Sequence, residues 1–231
     1  MDRDFKERLK CHRRYFHENA ECGFKTEGTN EYIVKELKRL GLEPFEVGRG
    51  GVAAIIEGDK TGKCVMLRAD IDALPMREET ELPFAAKNGN MHACGHDMHA
   101  AMLLGAAELL VKEGVGRGRV KLYFQPAEEI LLGARDGISA GILDHPTVDF
   151  AIGIHVLTGM PLETGTIIIP SEGNGAPASQ FFTVKIQGRG CHGATPQNGK
   201  DAINCLGYML CEYNSLVAKE IKHLLTVNFF L

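Results

Sequence analysis

Short apolar runs alternate along this chain with longer helical patterns, and this alternation limits the fold more than any other feature. Each run is the right length for a strand whose two faces are both buried. The runs are Val52–Ile56, Cys64–Leu67, Val120–Phe124 and Phe150–Val156. The turn-rich segment EGDKTG separates the first two and predicts a hairpin between them. Overall the pattern predicts an α/β fold in which helices flank a central mixed sheet.

Three segments before residue 120 have helical patterns. Residues 3–16 carry apolar side chains among charged ones, as an amphipathic helix does. A second helix is predicted from Thr29, a residue suited to an N-cap, to a stop at Gly41. Residues 97–112 are rich in Ala, Leu and Met, so a third helix is predicted there, ending before Gly114.

A stretch rich in Gly, Pro and Ser at residues 170–179 predicts a domain boundary. The predicted domains are a catalytic domain at 1–178 and a partial second domain at 179–231. The second domain opens with an alternating segment at 181–186, which predicts a strand. A helix is then predicted over 201–219, so this domain holds only the opening of a β-α-β unit.

Composition excludes several functional classes. The net charge is −4 and there is no basic run, so no nucleic-acid partner is expected. No uninterrupted apolar stretch approaches the length of a membrane span, and the charged opening MDRDFKERLK does not resemble a signal peptide. Seven widely spread cysteines are an odd number, which favours free thiols in a cytoplasmic protein.

Four groups of polar side chains follow or adjoin the strand-like runs, where open α/β sheets bind their ligands. Each group has an ordinary explanation as a turn, a helix cap, a wet surface or a core histidine. Their shared position and shared suitability as metal ligands favour a site. The groups are Asp70 with Asp72; His92, Cys94, His96, Asp97 and His99; Glu128 with Glu129; and His155.

The combination of thiolate, imidazole and carboxylate suits Zn, Mn, Co or Ni better than Mg or Ca. The spacing matches neither a zinc finger nor the zinc deaminases. Adjacent glutamates could divide the work, since one can bind metal while its neighbour takes a proton from water. His92 and His99 fit helix caps or supports of the ligands better than they fit ligands.

Five motifs in this order resemble the di-metal aminoacylase/carboxypeptidase family: RADIDALPMREET, MHACGHDMHAA, FQPAEE, GIHV and GRGCHGATPQNGKDAI. The most similar branch holds hippurate hydrolases, N-acyl-amino-acid amidohydrolases and auxin-conjugate hydrolases. The resemblance implies a catalytic domain with a ferredoxin-like lid. It also implies two divalent metal ions and hydrolysis of the amide bond of small N-acyl amino acids.

The resemblance also implies individual roles. Glu128 would be the general base and Asp72 a carboxylate supporting the site. His192, in the lid, would stabilise the oxyanion or hold the substrate carboxylate, and a homodimer would form through the lid. The implied metal ligands are Cys94, His96, Glu129 and His155.

The chain departs from the family at three places, of which Ala20, where proline is common, is minor. Ile130, Leu131 and Leu132 follow the glutamate pair, where glycines are usual. Family members also continue beyond residue 231 with one more metal-binding histidine, so the chain is expected to be truncated and to hydrolyse little by itself. One alternative is therefore an inactive remnant of such an enzyme. A second alternative is a hydrolase that uses Cys94 as nucleophile with His96 or His99 as base.

Overall fold

The computed structural model describes residues 3–58, 62–169 and 182–220. The chain forms two compact units, residues 1–161 and residues 162–231. The predicted boundary between residues 178 and 179 falls outside the described residues and stays a prediction. No helix in the described part of the chain combines the length and the apolar character needed to cross a bilayer.

The helices and strands predicted for residues 3–153 are present, and the structure adds a strand at Phe45–Val47 and a helix at Gly133–Ser139 that were not predicted. The helices are α1 (Arg3–Glu18), α2 (Glu27–Arg39), α3 (His96–Glu113), α4 (Gly133–Ser139) and α5 (Ala202–Glu220). The strands are β1 (Phe45–Val47), β2 (Gly51–Glu57), β3 (Cys64–Asp70), β4 (Arg119–Gln125) and β5 (Phe150–Gly153). The second helix begins after Thr26 rather than at Thr29, and the fifth strand ends before His155.

Among the described residues, these strands form one mixed sheet in the order β1-β2-β4-β3-β5. Strand β2 is antiparallel to β1 and β4, while β3 is parallel to both β4 and β5. The predicted mixed α/β sheet is confirmed, but the predicted hairpin between β2 and β3 is wrong. Strand β4 inserts between them, because α3 returns the chain alongside β3 as a parallel crossover rather than leaving the two earlier strands paired.

Both faces of the central strands β2, β3 and β4 are covered. All four residues of the edge strand β5 are exposed, so the prediction of a buried strand there is wrong. Helices α1, α2 and α3 pack on one face against side chains such as Ala54, Leu122 and Phe124. The other face carries Ala53, Met66 and Tyr123, which pack with the chain that follows α4. Consecutive residues of β4 therefore pack into hydrophobic cores on opposite faces of the sheet. This explains why the sequence of β4 is apolar on both sides of one buried lysine.

That lysine, Lys121, is 1% exposed and donates hydrogen bonds to three backbone carbonyls. The acceptors are Ile142 O at 2.7 Å, Asp144 O at 2.6 Å and Pro146 O at 2.9 Å. Its ammonium has three donors, so these carbonyls use its full hydrogen-bonding capacity. The contact holds the loop after α4 against the sheet on the face opposite α3.

The connections after β3 and β4 leave toward opposite faces of the sheet. Helix α3 follows β3 on one face, and α4 follows β4 on the other, where the Tyr123 hydroxyl lies against Gly137. Adjacent strands whose connections diverge in this way leave a crevice at their carboxyl ends. The sheet topology therefore places a crevice where Asp70, Asp72, Glu128 and Glu129 follow their strands.

In the second unit, the strand predicted over 181–186 is not formed by the described residues 182–186, and Phe181 lies outside the description. A strand needs a partner to satisfy its backbone groups, and the described part of this unit pairs only Arg189 with Lys200. The predicted helix is present as α5.

One buried ionic cluster joins α1 to the start of α3 and to the loop after β3. His17 is 3% exposed, with Nδ1 2.7 Å from Asp97 Oδ2 and Nε2 2.9 Å from Glu78 Oε1. Ionised carboxylates only accept hydrogen bonds, so the imidazole donates from both nitrogens and is positively charged. The hydrogen bond to Asp97 raises the pKa of His17 despite its burial. Arg13 adds a second cation, with Nε 2.7 Å from Asp97 Oδ2.

We expect His17 to make stability depend on pH near neutrality. A raised folded-state pKa means that its contribution is complete below the unfolded pKa of about 6.5 and is lost as pH rises through the folded value. The free energy of unfolding in urea, measured without metal, should therefore differ most between wild type and His17→Gln near pH 6. The difference should shrink toward pH 9.

The matched control is His12→Gln on the same helix. Burial lowers the pKa of His12, so this histidine has no charged clamp to lose as pH rises. A wild-type minus His17→Gln difference that stays constant between pH 6 and pH 9 would contradict the assignment.

Candidate metal centre

The crevice at the carboxyl end of the sheet collects side chains from four parts of the first unit. Asp70 ends β3 and Asp72 follows it, while Glu128 and Glu129 follow β4. His96 is the first residue of α3. Cys94 precedes that helix, and His155 lies two residues beyond β5.

His96 is the shared member of this cluster. Its Nε2 lies 3.8 Å from Glu129 Oε1 and 3.9 Å from Glu128 Oε2. Potential ligand atoms of Cys94, His96 and His155 lie within 4.8 Å of one another, and the same holds for His96, Glu128 and Glu129. The geometry thus brings the other three predicted ligands and the predicted base close to the His96 imidazole.

Two atoms at the centre are buried without a hydrogen-bond partner: His96 Nε2 and Glu129 Oε1. Buried polar atoms are nearly always paired, so an unpaired nitrogen and oxygen facing each other need a physical reason. Both are lone-pair atoms of the type that binds divalent metals. A cation between them would satisfy both, and the donor set therefore fits a metal.

Asp72 organises the cluster although it is completely buried. Its backbone carbonyl lies 2.7 Å from His96 Nδ1, so that nitrogen donates and Nε2 carries the lone pair. Its carboxylate accepts the backbone N–H of Glu128 at 2.9 Å and of Glu129 at 3.2 Å. A single residue therefore orients the imidazole and both glutamates.

Cys94 and His155 meet on the outer side of the cluster, with Sγ and Nε2 3.4 Å apart. His155 Nδ1 donates to the carbonyl of Val156 at 2.7 Å, which leaves the lone pair on Nε2. Gly95 makes the approach possible: its φ is +86°, a left-handed conformation that side chains disfavour. The turn at Gly95 therefore allows the side chains of Cys94 and His96 to approach the same place.

The electrostatic environment of the cluster disfavours negative charge. Burial and the nearby carboxylates of Glu129 and Glu128 raise the pKa of the Cys94 thiol to about 12. Burial, Glu128 and Asp72 likewise raise the pKa of Glu129. Each anion is destabilised by its neighbours, so a bound cation would relieve all of them together.

Asp70 and His99 form a neighbouring pair that sequence analysis left without a specific contact. His99 Nδ1 lies 2.5 Å from Asp70 Oδ1, and both side chains are buried. Burial opposes ionisation of Asp70, but His99, Arg68 and His96 lower its pKa to about 2. The Asp-x-Asp motif at residues 70–72 marked both carboxylates as candidate site residues. It did not show which of them would contact which histidine.

The remaining predicted histidines are His192, in the second unit, and His92, in the first. His192 is exposed in the second unit, where its Nδ1 accepts the N–H of Ala194 at 3.1 Å. His92 is 5% exposed, neither ring nitrogen has a partner, and burial lowers its pKa to about 4. His17 and Arg13 were missed because charges on an amphipathic helix normally indicate a solvated face. Glu78 was missed because charged side chains in a loop are usually solvated as well.

A cavity of about 320 Å³ borders the cluster within the first unit. Its lining residues include Cys94 and His155, together with Arg13, His92 and Leu157. A larger depression of about 990 Å³ is lined by residues between 77 and 89, none of them histidine or cysteine. The smaller cavity therefore lies where the metal-binding chemistry is.

This chain is similar to known proteins over most of its length. An N-acetylcysteine deacetylase of Bacillus subtilis is 39% identical, with the match covering 96% of this chain and 58% of the relative. A hippurate hydrolase of Campylobacter jejuni is 36% identical, covering 90% and 54%. This chain therefore spans about half the length of the curated relatives it matches.

Solved structures match as well. A dinuclear metal-binding peptidase from Bacillus subtilis is 41% identical with a TM-score of 0.65, covering 70% of this chain and 46% of that one. A Staphylococcus aureus protein described as a putative aminohydrolase gives 32% and 0.71, covering 95% and 59%. Residues 66–216, which include every predicted ligand, match the model of peptidase family M20/M25/M40. The chain belongs to peptidase family M20/M25/M40.

Proposed function

We propose that this chain carries the metal-binding half of an amidohydrolase that cleaves the amide bond of small N-acyl amino acids. The products are a carboxylic acid and a free amino acid, with hippurate-like and N-acetyl amino acids as the substrate class. The observation that carries the proposal is the unpaired, buried His96 Nε2 facing Glu129 Oε1. The names of the relatives support the same substrate class.

Two divalent ions, Zn, Mn, Co or Ni, would be held by Cys94, His96, Glu129 and His155. The dinuclear metal-binding relative supports the number of ions. Asp72 supports two of these ligands, His96 and Glu129, because it fixes the His96 tautomer and the backbone of Glu129; it holds the backbone of Glu128 in the same way. The borderline character of the donor set favours these metals over Mg and Ca.

Bound ions would polarise the scissile carbonyl and acidify the attacking water. Glu128, whose side chain is 37% exposed, would take the proton from that water. The oxygen then adds to the acyl carbon, the carbon–nitrogen bond breaks, and Glu128 returns the proton to the leaving amine. The 320 Å³ cavity beside Cys94 and His155 is large enough for a small acyl amino acid.

His192 would hold the oxyanion or the substrate carboxylate. Its Nδ1 accepts a backbone N–H, so the opposite nitrogen, Nε2, carries the proton and can donate to an anion. A homodimer through the second unit is part of the proposal, supported by exposed apolar residues on α5 such as Tyr208 and Leu216. The cytoplasm is the proposed compartment, because a metal-binding Cys94 must remain reduced.

The alternative with Cys94 as nucleophile has less support. A nucleophilic cysteine needs a lowered thiol pKa, whereas burial and the adjacent carboxylates raise that of Cys94 to about 12. His99, one of the bases considered for it, already uses both ring nitrogens in hydrogen bonds. The alternative of an inactive remnant keeps the same metal site and differs only in turnover.

Glu128→Gln and Glu129→Gln should have different effects in the active enzyme. Glu128→Gln should keep metal and lower kcat by a factor of about 10²–10⁴, the usual contribution of a general base. Glu129→Gln should weaken metal binding itself. Metal content after dialysis and kcat at saturating metal separate the two effects. Loss of metal from Glu128→Gln, with activity restored by added metal, would reverse the assignment.

Cobalt substitution should reveal the thiolate ligand. Co(II) added to the metal-free protein should produce a sulfur-to-metal charge-transfer absorption band, because binding removes the thiol proton. Cys94→Ser should lose that band, while Cys205→Ser, at an exposed position on α5, should keep it. A band unchanged in Cys94→Ser would exclude this residue as a ligand.

The activity itself is tested with residues 1–231 and with a chimera that continues into the C-terminal half of the Bacillus subtilis deacetylase. Both are loaded with Zn, Mn or Co and assayed with hippurate and N-acetyl amino acids. We expect turnover by the chimera, abolished by EDTA and restored by metal, and little turnover by residues 1–231. A chimera that binds metal but turns over neither substrate would favour the inactive remnant.

A further inference from the structure

The segment that carries His155 has no regular structure to hold it. Strand β5 ends at Gly153, and residues 154–158 belong to neither a helix nor a strand. His155 itself is exposed, and its ring contacts Cys94 and the carbonyl of the next residue. Its position as a ligand must therefore depend on how this irregular segment is fixed.

The backbone of that segment is anchored by a histidine on α3. Val156 N–H donates to His99 Nε2 at 3.0 Å. A backbone N–H can only donate, so Nε2 carries a lone pair and the proton of His99 resides on Nδ1. That proton points to Asp70 Oδ1, 2.5 Å away. Geometry alone thus assigns one neutral tautomer to His99.

The Asp70 side chain is held in turn by hydrogen bonds within the sheet. Asp70 Oδ2 accepts from Arg68 Nη1 at 2.7 Å, and Arg68 Nε donates to Gln125 Oε1 at 3.0 Å. These residues belong to the paired strands β3 and β4. His99 is 2% exposed and lies within the first turns of α3. The chain of hydrogen bonds therefore connects the sheet to the backbone beside His155.

Packing of Val156 supports the same attachment. A Cβ added at Gly95 would lie 2.5 Å from Val156 Cγ2, so the valine side chain occupies the space that glycine leaves. The rings of His99 and His155 also meet edge to face, with centroids 4.6 Å apart. Backbone, side-chain and ring contacts therefore all attach residues 154–158 to the start of α3.

We propose that His99 is a positioning residue for His155: it holds the Val156 backbone and thereby preorganises the imidazole of His155 for metal. The inference rests on the proposed function, since it concerns a ligand of that site. His99 is not itself a ligand, because Asp70 and Val156 occupy both of its nitrogens. Residues that orient a metal ligand typically contribute a factor of 10–100 in metal affinity.

Two amide substitutions separate the two hydrogen bonds of His99. The Asn amide nitrogen lies as many bonds from Cβ as His Nδ1, so His99→Asn can still donate to Asp70 but cannot reach Val156. The Gln amide oxygen lies as many bonds from Cβ as His Nε2, so His99→Gln can still accept from Val156. Circular dichroism of both variants checks that the fold is retained.

The first measurement needs no metal and no activity. Hydrogen exchange of the Val156 amide, followed by NMR in metal-free residues 1–231, should be slow in wild type and in His99→Gln and faster in His99→Asn. Equal exchange rates in the three proteins would overturn the proposed anchor. This result is independent of whether the metal site has been assigned correctly.

The second measurement tests whether His99 acts through His155. Co(II) affinity should fall roughly tenfold or more in His99→Asn and less in His99→Gln. In a His155→Ala background the Asn substitution should have no further effect, as a double-mutant cycle requires of coupled residues. An equal loss in both backgrounds would show a general structural role and overturn the inference. Wild type that binds no Co(II) would instead refute the proposed function, while the exchange result would still report on the anchor.

Discussion

Asp72 is the buried residue whose hydrogen bonds hold the site together. It sits between the end of β3, the first residue of α3 and the residues that follow β4. Through its carbonyl it orients His96, and through its carboxylate it holds the N–H groups of Glu128 and Glu129. Because Asp72 itself is completely buried, weakening these hydrogen bonds would leave its polar groups without partners, which costs free energy. Asp72 therefore supports both the end of the sheet and the metal site.

The charged side chains around the site are held by hydrogen bonds, whereas the acidic groups at its centre destabilise one another. Asp70, Asp97 and His17 are paired by hydrogen bonds to oppositely charged or donating partners. At the centre of the crevice, in contrast, Cys94 and Glu129 face other acids, and burial raises the pKa of each. The ordered surroundings hold lone pairs of His96 and His155 toward this point. Such preorganisation is what a metal centre needs, because a cation then binds without rearranging its ligands.

Several features of the fold and the site could be predicted from local pattern. Apolar runs bounded by charge located β2, β3 and β4, and Gly114 located the end of α3. The clusters around Cys94 and Glu129 identified the type of chemistry. The hairpin between β2 and β3 was wrong, because strand pairing depends on the long-range return of the chain through α3. The contact between His99 and Val156 could not be predicted, since it joins residues from two elements whose approach no local pattern records.

The sequence by itself determined which side chains were available as ligands and which segments alternated as strands and helices. Residue type and periodicity are local properties, and they follow from the order of amino acids. Only the tertiary structure decided that Cys94 meets His155 across 61 positions, and that Asp72 rather than Asp70 supports the glutamates. Those pairings depend on strand order and on connections to opposite faces of the sheet. Both are set by burial of the whole core, because no single segment can bury its apolar face alone.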